Sequence, residues 1–130
     1  MHKFEEATDA HTRARDLYQQ VGDAHGEASA WNNLGLALRQ VRRFEEAIDA
    51  STRARDLYQQ LGDAHGEAGA WNNLGNALRQ VRREQEAREA FERAAQGFRA
   101  LKDEHSLAVA QGNLTRLRQR PRRWWRFWKR

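Results

Sequence analysis

Three histidines, His25, His65 and His105, stand 40 residues apart, and imidazole is a common metal ligand. Packed helices lie roughly 8–10 Å from one another, whereas a zinc–nitrogen bond is about 2 Å. Histidines repeated on successive helical layers therefore cannot share one ion, and a place in a loop or at a helix start is expected for them. Asparagine recurs at the same interval, as Asn33, Asn73 and Asn113. Each amide offers two donors and an acceptor, which suits it to polar contacts. Asn72 and Asn76 lie beside them, and Arg39, Arg79 and Arg116 add positive charge that favours an acidic ligand. The same residues equally suit a solvated helix face duplicated along with its surroundings. No catalytic constellation is present: there is no Cys, no Gly-rich phosphate loop and no separate Ser/His/Asp set. Glu5–Glu6 and Glu45–Glu46 open helical stretches, where the helix dipole favours acids. No enzyme, metal or cofactor is expected.

The second informative cluster is terminal. Six of the 23 Lys and Arg fall within residues 120–130 with no acid, so residues 1–119 hold 17 bases against 18 acids. The net charge of +5 thus belongs to the end of the chain, and the body gives no reason to expect nucleic acid. At 100° per residue, Trp124, Trp125, Phe127 and Trp128 fall on one arc and the basic residues on the other, after Pro121. Burying such side chains is worth about 1.5–3 kcal/mol each, so a cover is expected. The candidates are residues 104–119, an anionic membrane surface, another molecule, or stacked single-stranded bases.

These residues are positioned by a repeat. Residues 44–83 match residues 4–43 at 35 of 40 positions; the five differences are Thr8/Ile48, His11/Ser51, Val21/Leu61, Ser29/Gly69 and Leu36/Asn76. A worn third copy covers residues 84–120. A fixed period of this length marks a stacked repeat protein, whose units bury their apolar faces on their neighbours. Each copy holds two helical patterns. Trp71, Leu74, Gly75, Leu78 and Val81 recur at spacings of three and four, and so do Phe44, Ala47, Ile48, Ala54, Leu57, Tyr58 and Leu61. Asp63 is the expected N-cap of the first, and Gly62 and Gly22 the expected stops of the second. Gly75, Ala47 and Ala54 allow close approach. Helices are expected at 4–20, 24–41, 44–61, 64–81, 84–101 and 104–119. The chain thus opens on a second-type helix and closes on a first-type one, like the end of a longer array. No apolar run reaches membrane-span length, and a soluble cytoplasmic protein is expected.

Trp31-Asn32-Asn33-Leu34-Gly35, Trp71-Asn72-Asn73-Leu74-Gly75 and the Ala87/Phe91 pair resemble the tetratricopeptide repeat, with pattern W-x2-L-G-x2-Y followed by A-x3-F. Leu38 and Leu78 stand at the tyrosine position. Ser51 and His11 stand where the third copy has Phe91. Gln19 and Gln59 replace the closing proline, which lets the second helix run on. This looks like the long variety of kinesin light chains and bacterial multi-repeat proteins. The resemblance implies an all-α solenoid of about six antiparallel helices over residues 1–120 (units 4–43, 44–83 and 84–120), with a basic aromatic tail or capping helix at 121–130. It also implies a non-catalytic scaffold that binds a peptide or partner helix through groove residues Asn33, Asn72, Asn73, Asn76, Asn113, Arg39, Arg79 and Arg116. Two alternatives are head-to-tail homo-oligomerisation through the open ends, and membrane recruitment through Trp124, Trp125, Phe127 and Trp128.

Overall fold

In a computed structural model of the chain, six helices follow one another: α1 (His2–Val21), α2 (Ala24–Gln40), α3 (Phe44–Leu61), α4 (Ala64–Gln80), α5 (Glu84–Ala100) and α6 (Glu104–Trp128). The structure describes the backbone of residues 2–128 and the side chains of residues 3–117, and no strand occurs among the described residues. The starts of α2 and α4 are set by side chains. Asp23 and Asp63 each accept the N–H of the residue three positions on, Gly26 and Gly66, at 2.9 Å. Such a cap stabilises a helix by about 1 kcal/mol. Glu27 and Glu67 sit in the positive first turns. Gly22 and Gly62 follow α1 and α3 with φ of 73° and 72°, a left-handed conformation that lets the chain reverse within two residues.

Each helix packs on its neighbours in the chain, so the six form an up-and-down stack. Leu34, Leu38, Ile48, Leu74, Leu78 and Phe91 form the main core. Alanines at Ala28, Ala54, Ala68 and Ala94 are fully buried where helices approach most closely. Gly75 explains the A-x3-F spacing. A Cβ at Gly75 would lie 2.7 Å from the Phe91 ring, and one at Gly35 would lie 2.7 Å from Ser51 Oγ. The missing side chain on one helix is the space into which the next inserts.

The expected helix boundaries hold to within a residue or two except at one place. α6 does not stop near residue 119 but continues through Pro121 to Trp128. Residues 118–128 contain neither Gly nor Asp to end one helix and cap another. Arg and Gln are strong helix formers, and the helix runs on although an interior proline costs about 3 kcal/mol.

Candidate interaction face

The first helices of the repeats, α2, α4 and α6, form one layer. α2 and α4 touch directly, and side-chain amides tie the layer together. Asn73 Nδ2 donates to Asn32 Oδ1 at 2.8 Å, and Asn113 Nδ2 donates to Asn72 Oδ1 at 3.1 Å. Each bond joins successive repeats across 41 residues. Arginines join from the same helices: Arg79 donates to Asn76 Oδ1 at 3.2 Å, and Arg116 to Asn113 Oδ1 at 2.9 Å. In the first copy Leu36 replaces Asn76, and Arg39 Nε is buried without a hydrogen-bond partner among the described residues.

The predicted groove residues therefore divide. Asn113 is 4% exposed and holds helices together. Asn72, Asn73 and Asn76 are half-buried and each spend a polar atom on a neighbour. Asn33 is exposed, and Arg39, Arg79 and Arg116 line the same side from half-buried to exposed positions. Asn32, which sequence reasoning passed over, is part of the row; its signal was the repetition of both asparagines in Trp-Asn-Asn.

The opposite flank is built on tryptophan. Arg15 and Arg53 lie over the Trp31 ring, 4.6 and 5.5 Å from its centroid, and Arg55 and Arg93 lie over Trp71 at 4.5 and 5.7 Å. Each indole N–H donates to the glutamate one turn earlier, Glu27 or Glu67. Guanidinium groups from both adjoining second helices thus cover each indole, and each such contact is worth about 0.5–1 kcal/mol. In the third copy Gln111 replaces the tryptophan and Ala95 replaces Arg55. A cleft of about 330 Å³ opens there, lined by Glu92, Ala95, Gln96, Arg99, Gln111, Leu114 and Thr115.

The histidines are placed at helix starts as expected, but their work is between repeats. His25 Nε2 lies 2.8 Å from Asp63 Oδ2, and His65 Nε2 lies 3.3 Å from Asp103 Oδ2. Each aspartate caps the next first helix while meeting the preceding histidine. The Gly66 N–H, followed by His25, holds the Asp63 carboxyl below the usual carboxylate range. The Ser106 hydroxyl and N–H, followed by His65, do the same for Asp103. In both junctions the aspartate follows the histidine by the same 38 residues, a spacing that by itself does not say that the two meet.

Among the described residues, no three metal-ligating side chains gather, and no helix is long and apolar enough to cross a membrane. The side chains of Trp124, Trp125, Phe127 and Trp128, the predicted tail contacts, lie outside the described residues.

Comparison with known proteins bears on the same architecture. A tetratricopeptide repeat profile matches residues 1–60, and another of the same description matches residues 68–96. Among solved structures, the crystal structure of BtubC (BKLC) from P. vanneervenii aligns with a TM-score of 0.65 at 19% identity. The alignment covers 90% of this chain and 57% of that one, so this chain spans little more than half of its length. At that identity the likeness shows the fold alone. No curated protein matches the chain.

Proposed function

We propose that this chain, which belongs to the tetratricopeptide repeat family, is a non-catalytic scaffold that holds a peptide or partner helix against the layer formed by α2, α4 and α6. Repeats of this family generally mediate protein–protein interaction. The observation that carries the reading is the continuous row of amides and guanidinium groups on that layer, knitted from repeat to repeat by the Asn73–Asn32 and Asn113–Asn72 bonds. Those bonds fix the row before any ligand arrives, which lowers the ordering cost of binding. Asn33 stands exposed on that row, with Arg39 half-buried on the same helix. The arginines favour an acidic segment. Three repeats make a short groove, so single-site affinity is modest.

The test is an array of acidic and basic peptides, with hits titrated by calorimetry. Acidic hits should weaken about tenfold in Asn33→Ala combined with Arg39→Glu. The exposed Arg53→Glu, on the other flank, should leave them unchanged. Equal loss in both variants, or preference for basic peptides, overturns the reading. A second reading is recruitment to an anionic membrane surface, favoured by the helical backbone of α6 reaching Trp128. Flotation with anionic vesicles should then be lost when Trp124, Trp125 and Trp128 become Ala; flotation that persists rules out the aromatic anchor.

A further inference from the structure

Each junction between repeats uses the same pairs of positions. His25 meets the Tyr58 ring edge-on with centroids 5.9 Å apart, and His65 meets Phe98 at 5.8 Å. The same histidines meet Asp63 and Asp103. One turn further on, Ser29 Oγ lies 3.0 Å from the Tyr58 hydroxyl. One period later the corresponding residues are His105 and Val109 of α6. Both are exposed, Val109 by 46%, and His105 has no hydrogen-bond or ring partner among the described residues. The complementary halves stand on α1 and the turn after it. Tyr18 and Asp23 lie 40 residues before Tyr58 and Asp63. Tyr18 is 38% exposed where Tyr58 is 6% exposed, and Asp23 is exposed where Asp63 and Asp103 are half-buried.

The clefts carry a second, independent match. Between α3 and α5, a cleft of about 280 Å³ is lined by Thr52, Arg55, Trp71, Leu74 and Arg93, among others. One period on, the first four positions are Glu92, Ala95, Gln111 and Leu114, which line the open cleft beside α6. The counterpart of Arg93 is then Arg13, exposed on α1. Its guanidinium would enter a cleft in which Glu92 stands in place of the threonine and Ala95 in place of the arginine, with Arg99 on the same wall.

We propose that α6 of one molecule receives α1 of a second copy, continuing the stack head to tail. His105 meets Asp23, Val109 packs on Tyr18, and Arg13 enters the cleft beside Glu92. The contact joins unlike faces, so it grows into chains or closes into rings. It leaves the inner layer free and does not depend on peptide binding there. Two departures make this junction weaker than the internal ones. Thr115 stands where Gly35 and Gly75 admit the next helix, and Gln111 removes the ring on which Arg93's counterpart would stack. The association is therefore concentration-dependent rather than permanent.

The test is light scattering behind a sizing column for the full chain, for Tyr18→Glu and for Val109→Glu, with far-UV circular dichroism as a check of folding. The wild-type mass should rise above 15.2 kDa with concentration. Each variant alone should stay at that mass. Their equimolar mixture should reach twice that mass and stop, because one intact α1 face and one intact α6 face remain. Should Tyr18→Glu loosen α1, Arg13→Glu replaces it: association should weaken about tenfold and return in Arg13→Glu/Glu92→Arg. A wild-type mass of 15.2 kDa at every concentration up to about 1 mM overturns the proposal. So does an oligomer that either variant alone retains, or one that the mixture fails to restore.

Discussion

Over residues 4–21 and 44–61, α1 and α3 differ only at Thr8/Ile48, His11/Ser51 and Val21/Leu61. Helix α3 lies between α2 and α4, whereas α1 packs mainly on α2. The same tyrosine is 6% exposed in α3 and 38% in α1, and the same alanine is buried as Ala50 and exposed as Ala10. One of the three differences follows the change of setting. Ser51 is small where it meets Gly35, whereas its counterpart His11 is partly exposed. Thr8 and Ile48 are both buried, and Thr8 bonds its hydroxyl to the Phe4 carbonyl at 2.9 Å. The lesson is that a repeat's own residues carry only part of its stability; the neighbouring layer supplies the rest.

Four measurements test that contrast. The largest effect belongs to the tyrosines. Tyr58→Ala should cost about 3 kcal/mol in urea unfolding, near the lower end for a buried ring, and Tyr18→Ala about 1 kcal/mol. Equal costs would mean that the second neighbour contributes nothing. Next comes hydrogen exchange. Amides of α1 should open with about 2 kcal/mol less protection than those of α3, roughly thirtyfold faster, and the gap should close at concentrations where the stack extends.

The caps come third. Asp23→Ala and Asp63→Ala each lose an N-cap worth about 1 kcal/mol, and Asp63→Ala should cost more because it also releases His25. The smallest effect is in pH. The Asp63 carboxyl is held below its ordinary range by the Gly66 N–H and then by His25. Its contribution is therefore present above the ordinary carboxylate range and is lost as pH falls through the lowered value. Asp63→Asn keeps a capping oxygen, and it should reduce the fall in unfolding free energy between pH 7 and pH 3 by less than about 1 kcal/mol. An unchanged pH profile would remove the carboxylate from the account.

Much of the fold was legible because its determinants are local. The 40-residue period, the Asp63 cap, the Gly22 and Gly62 stops and the helix-spaced Trp71–Leu74–Leu78 face each act within a few residues. Even the close approach at Gly75 was readable, since a bare position on one helix and Phe91 on the next state a fit in volume. The candidate face was less legible. Sequence spacing put Asn72, Asn73 and Asn113 on a ligand-facing row, but it could not say that they would bond one another. Nor could it tell that His25 and His65 reach the next repeat's cap rather than solvent, or that α6 would run on to Trp128.

From its amino acids alone, this chain was bound to form paired helices of these lengths and to stack them, because each apolar face needs a neighbour and each cap lies beside the turn it closes. The offset and rotation between successive layers were set only in the packed molecule. A contact across 38 or 41 residues depends on that rotation, where a shift of one helical position separates a 2.8 Å hydrogen bond such as His25–Asp63 from two solvated side chains.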